Sequence, residues 1–369
     1  MSAAVLFVLL ASGSALGASF VRLNPLPGDS YTVADIMSGD GSTVLGRSFS
    51  ASGASRQFIW DRVNGMRLTP ELPGDPWGGA RDLSGDGSTL VGRDTNGAYI
   101  WDAVDGRRVI DPLPGGSIGG LFVSGDGSTA VGRSGSSAFI WDAENGTRNL
   151  GNLPGGYNPA ALAVSADGSV VAGRDVTQAG EEAFVWTAES GMQGLGALGD
   201  LPSAAFAVSA DGSTVVGGSG SLLADEAFIW DETNGMRGLG YLPGGFLPGY
   251  TISLAFDVSG DGSVVVGWAN SGYTSDVFFW DEANGMRELD VYLAAQGIDL
   301  TGWEMWLKHP SHSAFGDVPQ ISDDGLTIFG DGIYNGERAA WVAVIPEPST
   351  ALLTGGGLAA LSLCASRRR

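Results

Sequence analysis

Cysteine is almost absent. Cys364 is the only one in 369 residues, so no disulfide can close within the chain and no cysteine cluster can hold a metal. Lysine is equally scarce, with Lys308 alone, and histidine is limited to His309 and His312. Lys+Arg number 19 against 41 Asp+Glu, and the formal net charge of −22 would repel phosphates, which excludes nucleic acid as a partner. Helical periodicity is missing as well, because the apolar residues come in short runs. What the chain has in quantity is glycine, with 60 residues to serve tight turns. A hydrophobic content of 43% and eleven tryptophans that need burial argue for a folded domain and against disorder.

Three markers recur in fixed order. A Ser-x-Asp-Gly turn has its aspartate at Asp40, Asp86, Asp126, Asp167, Asp211, Asp261 and Asp324. A tryptophan ends a short apolar run at Trp60, Trp101, Trp141, Trp186, Trp230, Trp280 and Trp341. A Leu-x-x-Leu-Pro-like element follows, as in Leu150 to Pro154 and Leu239 to Pro243. The tryptophans are 41, 40, 45, 44, 50 and 61 residues apart, which is the period of propeller blades. Around Trp186, four short strands are predicted: Ala161 to Ser165, Ser169 to Gly173, Ala183 to Trp186 and Met192 to Leu198. The chain is therefore read as all-β, a seven-bladed β-propeller of four-stranded repeats. The last repeat lacks its fourth strand after Val344, and Phe20 to Gly28 looks like an orphan fourth strand. The N-terminal strand is expected to complete the last blade and close the ring, leaving no open sheet edge.

Ala138-Phe139-Ile140-Trp141, Ala183-Phe184-Val185-Trp186 and Ala227-Phe228-Ile229-Trp230, with the Asp-Gly turns and Leu-Pro-Gly elements, resemble the HAF-type extracellular repeat over most of residues 19–344. The family's histidine before Ala-Phe is replaced by Ser137, Glu182 and Glu226. That resemblance implies a repeat type and carries no chemistry. Trp-Asp pairs resemble WD repeats without the accompanying Gly-His, and the Asp-Gly turn matches the sialidase Asp-box only loosely. In either case the aspartate is read as a turn cap.

The two ends are read as targeting segments. Residues 1–18 resemble a secretory signal: Ala3 to Ala11 is apolar, small residues follow, and the usual preceding positive charge is missing. Residues 345–369 carry Pro346-Glu347-Pro348, an apolar segment over 351–365 and Arg367-Arg368-Arg369. That order resembles the PEP-CTERM sorting signal. The resemblance implies a hydrophobic C-terminal helix inserted transiently in the inner membrane, with the arginines as a cytoplasmic stop. It also implies an exosortase as processing partner, and a bacterium that exports the protein to its surface or surrounding polysaccharide.

Residues 290–320 break the repeat. Tyr292 to Gln296 is predicted as a short helix, and Trp303 and Trp306 are expected to pack over the ring end. Glu304, His309, His312 and Asp317 are the candidate site residues in this stretch. Pro310 between the histidines disfavours a helix that would present both on one face. A metal would need more ligands than these, so neither metal nor cofactor is expected. Calcium at the turns is disfavoured, because one aspartate per turn supplies too few oxygens.

The expectation from the sequence is a non-enzymatic, exported surface or matrix module, with exopolysaccharide or surface proteins as partners. The alternative is a secreted glycan hydrolase or lyase on a propeller scaffold. Such an enzyme would need a carboxylate pair unique to particular blades, and Glu304 with Asp317 is the pair to test.

Overall fold

A computed structural model describes residues 18–68, 79–199, 201–220, 225–243, 252–270, 275–305 and 318–345. The expected signal at 1–18, apart from Ala18, and the sorting motif at Pro346, Glu347 and Pro348 lie outside these residues, as do the 351–365 segment and Arg367 to Arg369. Among the described residues no helix is long and apolar enough to cross a membrane.

The fold is a seven-bladed β-propeller. Six blades are consecutive four-stranded antiparallel meanders within 31–68, 80–110, 118–149, 160–196, 203–240 and 253–288, numbered 1 to 6 in chain order. Blade 4 is typical, with strands Ala160–Val164, Val170–Thr177, Gly180–Thr187 and Gly191–Gly196. In blade 7 the first strand, Ser19–Leu23, pairs antiparallel with Glu337–Val344, so that Ser19 faces Val344 and Leu23 faces Ala340. The N-terminal strand thus closes the ring as its sequence predicts. Phe20 is held there by stacking on Trp341 at 5.5 Å and meeting Trp303 edge-on at 5.1 Å.

Each blade is assembled by the same local chemistry. In blade 1 the Ser38 hydroxyl donates to Asp40 Oδ1 at 2.6 Å, the same oxygen accepts from the Ser42 N–H, and Ser38 Oγ accepts from the Thr43 N–H. Every Ser-x-Asp-Gly turn repeats this cap, which satisfies the backbone groups a tight turn would leave bare. The second strand carries a glycine beneath the aromatic ring of the third. A Cβ on Gly46 would lie 2.5 Å from the Phe58 ring and 2.3 Å from the Val33 carbonyl oxygen, so only glycine lets the ring lie flat there. Buried apolar side chains collect in seven clusters, one at each blade–blade interface.

At the axis the blades are linked by a closed circle of seven backbone hydrogen bonds between turn residues. Asp40 donates to Gly85, Gly85 to Gly125, Asp126 to Ala166, Ala166 to Ala210, Asp211 to Gly260, Gly260 to Asp323, and Asp323 to Gly39. Their lengths run from 2.6 to 3.2 Å.

The irregular stretch has two parts. A short helix, Leu289–Ala295, forms close to its predicted position and buries Leu289 and Leu293 between blades 6 and 7. The inner strand of blade 7 is then split. Trp303–Glu304 pairs with Tyr334 and Ile333, and Gln320–Ile321 pairs with Phe329 and Ile328.

Candidate functional site

All seven blades contribute to one cavity of about 160 Å³, which therefore lies on the propeller axis. Its wall comes from the ends of the inner strands and from the turn residues of the hydrogen-bonded circle. Most of the residues that line it are small or apolar and recur from blade to blade. Two residues before each turn serine, the blades carry Ile36, Asp82, Phe122, Ala163, Ala207, Asp257 and Gln320. One residue after it they carry Gly39, Gly85, Gly125, Ala166, Ala210, Gly260 and Asp323. Four polar side chains thus interrupt an otherwise small or apolar ring, and all four line the cavity.

Their positions are fixed by backbone donors. Asp82 accepts the Leu83 N–H on Oδ1 at 2.9 Å and the Val123 N–H of the next blade on Oδ2 at 2.9 Å. Asp257 repeats this with Val258 at 2.9 Å and Ile321 at 2.8 Å. Gln320 Oε1 accepts the Met37 N–H at 2.9 Å and joins blade 7 to blade 1. A bulge before Asp82 and before Asp257 breaks the inner-strand ladder, an arrangement that commonly re-aims a side chain.

Burial pushes both Asp82 and Asp257 up to about 7, against the lowering effect of the N–H groups each accepts. Asp323 and Asp82 raise Asp257 further by like-charge repulsion. Each carboxyl touches cavity space on one side, and protein on every other side sets its charge. Asp323 is more exposed, and burial, then Asp324 and Asp40, raise it. No lysine or arginine among the described residues lines the cavity. At neutral pH two carboxyls near 7 hold about one proton between them, so that both an acidic and a basic form are present on the cavity wall.

The residues singled out in the sequence lie elsewhere. Glu304 is exposed on the upper half of the split inner strand and is not part of the cavity wall. His309, His312 and Asp317 lie outside the described residues. The axial acids were missed although their signal was present. An acid unique to particular blades becomes visible only when the repeats are aligned on their turn serines.

No family model matches the chain, and no curated protein matches it by sequence. Solved structures do. An oligogalacturonate lyase from Vibrio parahaemolyticus is 13% identical, with a TM-score of 0.57 over 90% of this chain and 98% of that one. An oligogalacturonate lyase in complex with manganese is 15% identical, with a TM-score of 0.56 over 90% and 97%. At this identity the likeness is one of fold. It nevertheless corrects the expectation of a non-enzyme. That expectation rested on a propeller poor in catalytic groups, whereas this scaffold is shared with two lyases and its axis carries carboxyls poised near neutrality. Manganese does not fit the described residues, because no three of their His, Cys, Asp or Glu side chains converge to hold a metal ion.

Proposed function

We propose that the protein is an exported enzyme that cleaves glycosidic bonds, with Asp82 and Asp257 as its acid–base pair. The observation that carries this reading is the pair itself, two blade-specific carboxyls raised to about 7 on the wall of the axial cavity. In hydrolysis the protonated carboxyl gives its proton to the departing glycosidic oxygen while the ionised one takes a proton from the attacking water. One C–O bond breaks, another forms, and the pair ends with its single proton moved from one carboxyl to the other. Acid–base assistance of this kind contributes about 10²- to 10⁴-fold to rate.

The test is release of reducing ends from neutral glycans and from the producing bacterium's extracellular polysaccharide. Asp82→Asn and Asp257→Asn should each lower kcat by about 100-fold or more with little change in KM. Activity should follow a bell-shaped pH profile centred near neutrality. Wild-type turnover that survives both substitutions would refute the assignment.

Elimination on a uronide is the second reading. It draws on the two lyase structures and on Arg81, which is exposed beside Asp82 and makes no ion pair with another described residue. An unsaturated product, seen by its ultraviolet absorbance, would select it.

Export belongs to the same proposal. Residues 1–18 would direct secretion and an exosortase would cut near Pro346, Glu347 and Pro348, so that the enzyme meets exopolysaccharide at the cell surface. The intact mass of the protein recovered from the producing cells tests this, since an uncut C-terminus would exclude such processing.

A further inference from the structure

We infer that Phe206 and Phe256 form a stacking subsite for a neutral pyranose ring, next to the axial carboxyls. This rests on the glycan-cleaving reading above and names the class of sugar.

The inner-strand register skips between Ala205 and Ala207 in blade 5, and between Ala255 and Asp257 in blade 6. The extra residue in each bulge is a phenylalanine. The two rings stack across the blade interface at 5.6 Å with 28° between their planes. Both are partly exposed, although the propeller buries Phe58, Phe139, Phe184, Phe228, Phe278 and Phe329 completely. The corresponding bulges elsewhere hold Asp35, tied to Arg47, then Arg81 and Leu162, so only blades 5 and 6 build a flat aromatic pair.

A second departure from the repeat keeps this wall apolar. After the second-strand glycine, blades 1 to 4 carry an arginine: Arg47, Arg93, Arg133 and Arg174. Blade 5 has Gly218, where even a Cβ would come within 2.3 Å of the Leu254 side chain and 3.7 Å of the Phe206 ring. Blade 6 has Trp268, directly opposite Leu254 in the ladder and partly exposed. Residues paired in this way share a face of the sheet, so Leu254 and Trp268 lie on one side. The wall is charge-free until Asp257, the residue after Phe256.

Two partly exposed aromatic rings followed by a carboxyl acceptor suit one ligand chemistry well. The C–H face of a pyranose presents weakly positive hydrogens to the negative face of an aromatic ring, and its hydroxyl edge donates to carboxylates. A lipid would leave Asp257 unmatched. A uronate would add further negative charge to a cavity lined by Asp82, Asp257 and Asp323 and, among the described residues, by no cation.

The test is calorimetric titration of the full chain with cellohexaose, mannohexaose, maltohexaose and hexagalacturonate. A neutral hexaose should bind and hexagalacturonate should not. The Phe206→Leu, Phe256→Leu double variant keeps apolar bulk while losing the flat rings, and should weaken binding at least ten-fold. Thermal melting of that variant separates a lost subsite from a lost fold. Equal affinity in the folded double variant, binding of hexagalacturonate alone, or no neutral hexaose bound would each overturn the inference. Phe-dependent binding without any turnover would sink the enzymatic reading and leave the subsite standing. Turnover that needs Asp82 and Asp257 but has the same KM in the double variant would sink the subsite alone.

Discussion

A carboxyl raised to about 7 in the fold must make the folded protein less stable as pH rises, and the size of that effect can be worked out. Asp82 titrates near 3.9 when unfolded and at about 7 when folded. Between those values the folded state holds the proton more tightly, so stability is greatest at the acid end of the window and falls as pH rises through it. From pH 5 to pH 8 the full shift corresponds to a loss of about 2 to 3 kcal/mol per group. Asp82→Asn removes the titration and should flatten the slope, at the cost of one accepted backbone N–H, a loss of about 1 to 3 kcal/mol at all pH values. Asp257→Asn should behave alike, and the double variant should show less than the sum because the Asp82 charge helps to raise Asp257. The assay is urea unfolding at intervals from pH 5 to 8. The turn aspartates Asp86, Asp126, Asp167, Asp211 and Asp261 are held below the ordinary range and are ionised throughout this window, and the histidines cancel in the difference between variant and wild type. Parallel slopes in wild type and both variants would refute the burial argument and, with it, the claim that these carboxyls are poised near neutrality.

Three further outcomes follow from the packing. Removing residues 18–23 takes away fully buried Leu23 and the Phe20 stack and opens the Glu337–Val344 edge. Stability should fall by about 4 kcal/mol, Tm by about 10 °C, and the protein should aggregate, as calorimetry and light scattering would report. Gly173→Ala would drive a Cβ to 2.1 Å from the Ala160 carbonyl and 2.9 Å from the Phe184 ring, so chemical denaturation should show a loss of about 2 to 3 kcal/mol. Asp167 is held below the ordinary carboxylate range by the Ser169 hydroxyl and N–H and then by the Ser165 hydroxyl. Its contribution is present at neutral pH and lost as pH falls through its lowered value, so Asp167→Ala should cost about 1 kcal/mol at pH 7 and progressively less in acid, read from melts at the two pH values.

The architecture was legible because it is written seven times. A turn serine, an aspartate that caps it, a glycine under an aromatic ring and a tryptophan in the third strand are all local chemistry. Their spacing counts the blades, and the unmatched strand at Phe20 identifies the closure. The split inner strand of blade 7 was only half visible: the insertion showed as a break in period, but nothing local tells that Glu304 and Gln320 belong to the same strand position. The axial acids depend on register. Asp82 resembles any other aspartate near a turn until blade 2 is aligned with blade 1, where Ile36 holds the same place. Their raised titration is a property of the closed ring, since it needs the walls of seven blades around one axis.

Repetition therefore separates two kinds of residue in this protein. Those that recur, such as Asp40, Asp86 and their equivalents, make bonds that each blade needs for itself, and their carboxylates are occupied by neighbours two residues away. Those that appear in one or two blades answer no such need. Ile36, Ala163 and Ala207 show that the inner strand forms without a carboxyl at the position of Asp82 and Asp257. Leu162 shows that the bulge forms without an aromatic ring. A desolvated acid is a cost to folding, here about 2 to 3 kcal/mol at pH 8, and a half-open phenylalanine pair forgoes burial that the other phenylalanines obtain. Two such departures fall on adjacent residues, Phe256 and Asp257, and Asp257 lines the cavity that all seven blades share. Blade folding accounts for neither, and the proposed chemistry at the axis would call for both.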